Sequence, residues 1–391
     1  MSEDPGLTAL VARADSLFRD QALATVREWK ARTGGLAVGF LPIYVPRELL
    51  HAQGILPVGL MGGRPDLEII KGDAYYQSYI CHLPRSTIEL GLNGTYAALD
   101  GVLFPSICDV IRNLSGIWQM LFPKVLVHYL DVPQNFEPAV GGAFYRRDLE
   151  SLARALEAKG ARPLTDESLC HSIALYNEDR RLVRELYALR RREPWKVPTH
   201  ELYVVLRAAL LLPVEESTPL FAEYLALVSA DESRRPQDQA RVLVAGSFCE
   251  QPPLALIKTL ERSGCYIVED DFVQVHRFIR SDIPAGGDPM ERLVTALLTD
   301  AVASPTRYIG NGVKGEDLEQ RLAGSGAEGV LFCAPSFCDP ALLDQPMAVR
   351  AAERAGVPWT AFKYAENSGQ FQVIREQAGT FADSIKLWSG A

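Results

Sequence analysis

Short apolar runs alternate with amphipathic stretches through most of this chain. Leu7, Leu10, Val11, Leu17, Phe18, Ala22 and Val26 recur at helical spacing and stop at Thr33-Gly34-Gly35, which predicts one or two opening helices. The pattern then reads strand Ala37 to Leu41, helix Pro46 to Gln53, strand Leu56 to Leu60, helix Pro84 to Leu92, strand Gly101 to Phe104, helix Val110 to Met120 and strand Val125 to Leu130. Strand signals vanish between about 140 and 238, where Leu149 to Lys159, Glu167 to Arg192, His200 to Leu212 and Thr218 to Val228 all carry helical periodicity. A polar linker, Ser229 to Pro236, closes that stretch. Alternation resumes with strand Arg241 to Gly246, helix Pro253 to Arg262, strand Cys265 to Val268, helices over about 288–303 and 315–323, strand Val330 to Phe332, helix Asp344 to Ala355, strand Trp359 to Lys363 and helix Phe371 to Leu387.

Strands alternating with helices predict an α/β fold with doubly wound parallel sheets of the Rossmann or flavodoxin type. The expected organisation is N-terminal helices over 1–33, a first α/β domain over 34–139, a helical module over 140–238 and a second α/β domain over 239–391. The two α/β parts repeat one another. Asp100-Gly-Val-Leu-Phe-Pro-Ser-Ile-Cys108-Asp109 returns as Glu328-Gly-Val-Leu-Phe332, an inserted Cys333-Ala334, then Pro335-Ser-Phe-Cys338-Asp339. Leu36 to Phe40 before Pro46 likewise parallels Val242 to Gly246 before Pro252-Pro253. Each half therefore delivers a cysteine into the turn after a buried strand, on the edge where open α/β sheets bind ligands.

The formal charge of −9 over 391 residues disfavours a nonspecific grip on nucleic acid, which needs cations against phosphates. The acidic Met1-Ser2-Glu3-Asp4-Pro5 start shows no secretory signal, and the longest apolar run, Val204 to Val214, is broken by Arg207 and Pro213. A cytoplasmic protein without membrane partners is expected. Seven cysteines, an odd number, fit free or metal-bound thiols in a reducing compartment.

Gly324-Ser-Gly-Ala-Glu-Gly329 matches the dinucleotide fingerprint, but it follows a helix and precedes a strand, so no helix N-terminus meets a pyrophosphate there. Neither a Walker A loop nor a Gly-x-Ser-x-Gly elbow occurs. Cys170 and Cys265 read as packing residues, and Cys333 as core; Cys81, Cys108, Cys249 and Cys338 fall in turns on the presumed ligand edge. Their spacing forms no compact ferredoxin run, and zinc with His82 or His171 competes as a metal reading. The basic stretch from Arg180 to Lys196 is interleaved with acids and reads as a salt-bridged face, with an acidic partner or phosphorylated carrier as the alternative.

Three longer segments carry a resemblance: Asp73 to Cys81, Pro105 to Asn113, and Pro335 to Pro340. They resemble the 2-hydroxyacyl-CoA dehydratase D-component family. Phe248-Cys249-Glu250-Gln251-Pro252-Pro253-Leu254 and Lys363 to Gln370 are similar, more narrowly, to the C subunits of class I, ATP-dependent benzoyl-CoA reductases. The resemblance implies one 4Fe-4S cluster per subunit held by Cys81, Cys108 and Cys338, with one iron left exchangeable and Cys249 as reserve ligand or supporting residue. It implies dearomatisation of benzoyl-CoA to cyclohexa-1,5-diene-1-carbonyl-CoA by low-potential single electrons, in anaerobic aromatic degradation. Implied partners are a paralogous cluster-bearing subunit, ATPase electron-activating subunits through which alone ATP acts, and reduced ferredoxin as donor. A 2-hydroxyacyl-CoA dehydratase subunit and a noncatalytic scaffold or relay subunit are the rival readings. His51, Glu48, Tyr76 and His82 are unranked proton-donor candidates, and Val140-Gly141-Gly142 and Ala285-Gly286-Gly287 are lid candidates.

Overall fold

The computed structural model describes residues 4–63, 67–302, 305–307, 315–365 and 371–389. Met1 to Glu3, the last residue of the helix expected over 288–303, and the Glu366 to Gln370 part of the Lys363 segment lie outside the described residues.

Helices α1 (Pro5–Phe18) and α2 (Ala24–Thr33) lead into a sheet of β1 (Ala37–Phe40), β2 (Leu56–Gly59), β3 (Gly101–Pro105) and β4 (Leu126–Leu130), interspersed with α3 (Arg47–Ala52), α4 (His82–Leu92) and α5 (Asp109–Leu121). Four helices follow: α6 (Ala143–Ala158), α7 (Asp166–Arg192), α8 (Thr199–Ala208) and α9 (Val214–Ala230). The second sheet comprises β5 (Ala240–Ala245), β6 (Cys265–Asp270), β7 (Gly329–Pro335) and β8 (Trp359–Tyr364), with α10 (Leu254–Arg262), α11 (Pro289–Asp300), α12 (Glu316–Ser325), α13 (Asp339–Arg354) and α14 (Phe371–Ser389). Strand orders are β2-β1-β3-β4 and β6-β5-β7-β8, and every strand pairing is parallel. The same order in both sheets is the structural form of the sequence repeat.

The central strands β3 and β7 are buried along their whole length, so Gly-Val-Leu-Phe reads as an unbroken apolar run. Cys333 and Ala334 extend β7 rather than bulging from it, pairing with Phe362 and Lys363, so both copies still end on a proline. In each sheet the order reverses between the first and third strands. That places the switch points at the carboxyl ends of β1 with β3 and of β5 with β7, where ligands gather in folds of this class.

One hydrophobic core runs from Leu7 to Ile385 through both sheets and the helices between them; a smaller one, including Leu243, Phe332 and Leu322, lies under α12 and α13. The long α7 opens with a capping box, Thr165 and Ser168 exchanging side-chain and backbone hydrogen bonds. Its basic stretch is only partly the exposed face that the sequence suggests. Arg181 pairs with Glu178 and Glu185 in solvent, whereas Arg180, Val183, Tyr187 and Arg190, spaced three, four and three apart, share the inward face. Arg180 there pairs with Glu48, and Arg190 Nη2 lies 2.7 Å from Asp270 Oδ2. Val140-Gly141-Gly142 is no lid: both glycines are buried in a helical turn, and a Cβ on Gly141 would lie 1.6 Å from the Asn135 carbonyl. Gly286 and Gly287 take left-handed φ in open space.

A buried polar joint ties α3 to the helices and to the second sheet. Arg47 Nη2 is 3.6 Å from Asp179 Oδ2, and Arg47 Nη1 is 3.3 Å from His276 Nδ1. His276 Nε2 lies 2.9 Å from the Leu206 carbonyl, which only accepts, so the proton sits on Nε2 and Nδ1 takes the Arg47 N–H. Burial, with the Arg47 charge beside it, holds His276 below the usual histidine range despite Asp179. The unfolded chain therefore binds a proton first as pH falls, and stability is full above about pH 6.5 and declines below it. The urea midpoint should stay level above about pH 7 and drop as pH falls from about 6.5 to 5, with His276→Gln removing most of that drop. Parallel pH profiles for wild type and variant would contradict this assignment.

Among the described residues, no helix is long and apolar enough to cross a membrane.

Candidate metal centre

Three cysteines stand at the starts of three helices. Cys81 is the N-cap of α4, Cys108 of α5 and Cys338 of α13. A helix N-terminus presents unpaired N–H groups and a partial positive charge, which favour a thiolate over a neutral thiol. Cys108 and Cys338 reach their places directly from the ends of β3 and β7. The turn before Cys338 is strained: Phe337 takes a φ of 65°, a region costly for an aromatic residue, and its ring is exposed.

The three thiols share one nest. Burial pushes the Cys81 thiol well up, and the Glu250 carboxylate, Cys338 and Cys108 push it further. Burial likewise pushes Cys108 up to about 11 against the pull of the Ile111 and Val110 amides, with Cys338 adding to the rise. Cys249 is the fourth member. Cys338, burial, and the charges of Cys108 and Cys81 all push its thiol well above the usual range.

The loop carrying Cys249 is fixed at several points. Gly246, at a φ of 104°, turns the chain across the end of β7, and its N–H donates to Asp271 at 2.7 Å. Ser247 Oγ donates to the Cys333 carbonyl at 2.6 Å, Tyr364 Oη to the Glu250 carbonyl at 2.7 Å, and the Val273 N–H to Gln251 Oε1 at 2.8 Å. Glu250 Oε2, in turn, accepts the Leu83 N–H of α4 at 3.0 Å. A carboxylate from the second half thus caps the helix that Cys81 opens, a bond across the two sheets that sequence spacing does not reveal.

Other expected residues lie elsewhere. Cys265 and Cys333 are buried in β6 and β7 as expected. Cys170 is not core: it is exposed on the outer face of α7, where Arg292 Nη2 donates to its sulfur at 2.8 Å, because inward-facing Leu169, Ser172 and Ile173 take the buried positions around it. His51 bridges Ser172 and Glu215, both at 2.9 Å, and Glu48 faces Arg180, so both belong to the α3–α7 contact. His171 is exposed on α7. Tyr76 is coupled electrostatically to these thiols; burial holds its phenol protonated, with Cys81 and Cys108 adding to the effect. A cavity of about 470 Å³ opens beside the second sheet, with Tyr44, Gly246, Phe248, Arg321 and Ala334 in its wall.

Among the described residues, no three His, Cys, Asp or Glu side chains close round a point that a single metal ion would occupy. An iron–sulfur cube is larger than one ion and holds its thiolates further apart than a tetrahedral zinc does. Buried and half-buried thiols that repel one another as anions, each at a helix N-terminus, are a donor set that a multiply charged iron–sulfur group would neutralise.

The chain is 52% identical to the C subunit of the benzoyl-CoA reductase of Thauera aromatica, over 97% of this chain and 99% of that one. It is 29% identical to lactoyl-CoA dehydratase subunit beta of Anaerotignum propionicum, over 92% and 94% of the two chains. With the (R)-phenyllactyl-CoA dehydratase beta subunit of Clostridium sporogenes it shares 26% identity over 90% and 93%. The family model for the D-component of 2-hydroxyglutaryl-CoA dehydratase matches residues 42–385, a span that takes in every strand of the two sheets except β1 and all four nest cysteines, and the chain belongs to that family.

Proposed function

We propose that this chain is the iron–sulfur subunit of an ATP-dependent benzoyl-CoA reductase. The observation that carries the reading is the 52% identity over almost the whole of both chains, set against 26–29% for the dehydratase subunits. Cys81, Cys108 and Cys338 would hold one 4Fe-4S cluster, with one iron left without a ligand from this set. Bound there, the cluster supplies single electrons at low potential for reducing the ring of benzoyl-CoA to the cyclohexa-1,5-diene-1-carbonyl thioester.

The rest falls to the protein. Burial of Cys81, Cys249 and Cys338 keeps water from the sulfurs, and a dry site disfavours the extra negative charge of the reduced state. The Glu250 carboxylate acts in the same direction through its field at Cys81. Both lower the potential, which an electron bound for an aromatic thioester requires. The helix N-termini of α4, α5 and α13 oppose this enough to keep thiolates bound. Tyr76, whose phenol burial keeps protonated, would offer a proton within the electrostatic reach of Cys81 and Cys108.

The chain would work in the cytoplasm within a hetero-oligomer: a paralogous cluster-bearing subunit, ATPase subunits that alone use ATP, and reduced ferredoxin as donor. The names of its relatives, all subunits, support the hetero-oligomer. Assaying the assembled complex separates the two enzyme readings. Turnover of benzoyl-CoA with little or none of lactoyl-CoA or phenyllactyl-CoA is expected; dehydration of a 2-hydroxyacyl-CoA without ring reduction would overturn the reading.

A further inference from the structure

We infer that the first sheet carries a ligand site of its own, separate from the cysteine nest, which binds a small aromatic monocarboxylate through Arg207. The site is a cavity of about 220 Å³ beyond the carboxyl end of β2, where Leu60 to Gly63 meet the end of α1, the helix α8 and the segment from Gln251 to Ala255. None of the nest cysteines lines it. Binding there depends neither on the cluster nor on the reductase reading.

The wall is mainly apolar and aromatic, with Phe18, Leu60, Tyr96, Tyr203 and Leu210 in it. A cavity of about 150 Å³ already accepts a benzene ring, so this one has room for a ring with a small substituent. Among the described residues, three charged side chains line it, and two of them are spent. Arg19 Nε lies 2.5 Å from Asp15 Oδ2, and the Asp20 carboxylate accepts the Ala24 and Thr25 N–H groups at 2.9 and 2.8 Å. Arg207 differs: no carboxylate among the described residues lies within ion-pair distance of it. Its Nη1 donates to Tyr203 Oη at 2.6 Å, and Tyr203 in turn donates to the Pro252 carbonyl at 3.0 Å. The guanidinium also lies over the rings of Phe18 and Tyr203, 5.2 and 5.4 Å from their centroids. These contacts hold the cation in place before a ligand arrives and leave most of its N–H donors for one. Gln21, also in the wall, buries its Nε2 without an acceptor among the described residues. Donors that converge on an apolar, ring-sized hollow select a flat apolar body carrying a carboxylate, which meets the planar fork of Arg207 while the ring packs on the wall.

The inference is tested on the full-length chain by fluorine NMR titration with 3-fluorobenzoate, using benzoate, benzyl alcohol and benzoyl-CoA as competitors. Saturable binding that benzoate reverses is expected. Benzyl alcohol, which keeps the ring and loses the charged hydrogen bonds, should compete at least about tenfold more weakly. Benzoyl-CoA should leave the 3-fluorobenzoate bound. Arg207→Met should weaken binding about tenfold or more, and Arg207→Lys by less, because lysine keeps the charge without the fork. The comparison of benzoate with benzyl alcohol uses the wild-type chain alone, so it does not depend on how the variants fold. Four results would overturn the inference: no saturable binding below about 10 mM, equal competition by benzoate and benzyl alcohol, unchanged binding in Arg207→Met, or displacement by benzoyl-CoA, which would place the ligand in an acyl-CoA site instead.

Discussion

Replacing Cys338 by alanine should remove most of the iron from the purified chain and lower benzoyl-CoA reduction by the assembled complex by more than about 100-fold, beyond what loss of an outer-shell partner costs. Cys338 is the hub of the nest. It raises Cys249, Cys81 and Cys108 alike, so its loss leaves thiols with no common centre. Cys81→Ala and Cys108→Ala should do the same. Cys265→Ala is the control: that thiol is equally buried, but burial accounts for its raised pKa without any contribution from the nest. Iron and acid-labile sulfide should stay at the wild-type level in Cys265→Ala and fall close to zero in the other three. Full iron in Cys338→Ala would remove that residue from the ligand set.

The second large effect is on stability. Glu269 is fully buried at the end of β6 and is shared by Arg191, Arg277 and Arg321, with Arg277 Nη1 at 2.9 Å and Arg321 Nη2 at 3.4 Å. Burial alone would raise its carboxyl; Arg277, Arg321, Arg191 and Arg190 outweigh burial and hold it well below the usual range. Tyr187 lies between Arg190 and Arg277, whose guanidinium carbons sit 4.3 and 4.0 Å from the ring centroid. The joint binds α7 and α12 to the second sheet. Glu269→Ala removes the carboxylate these guanidinium groups share, leaving Arg277 with Asp270 and Arg321 with Asp271 in a crowded cationic joint, and should cost roughly 3 kcal/mol in urea unfolding. Because the group is a depressed carboxylate, the difference from wild type should be full above about pH 5 and shrink as pH falls below about 4.5, where the unfolded chain takes up a proton that the folded one does not. A loss below about 1 kcal/mol would mean that water reaches these side chains.

The sheets are legible because parallel strands buried on both faces leave continuous apolar runs, and Gly-Val-Leu-Phe names the central strand of each half. Helix starts are less so. The sequence suggests α4 from Pro84 and α13 from Asp344, yet they begin at His82 and Asp339 because proline is tolerated in a first turn, as Pro84 and Pro340 show. That shift matters, since it makes Cys81 and Cys338 helix caps rather than loop residues. The electrostatic pull of Cys338 on Cys249, 89 positions away, and the bond from Leu83 to Glu250, 167 positions away, depend on how the two sheets meet. Periodicity along the chain carries no record of that. The packing role expected for Cys170 fails for the opposite reason: a helix of 27 residues shows an outer face as well as an inner one, and residue type alone does not say which.

Anomalous scattering at the iron edge, from crystals grown without oxygen, tests the central claim most directly. The account predicts one compact iron peak among the N-termini of α4, α5 and α13, within bonding distance of Cys81, Cys108 and Cys338. Iron-replete crystals with no peak there, or with one of those three sulfurs turned away from it, would contradict the account.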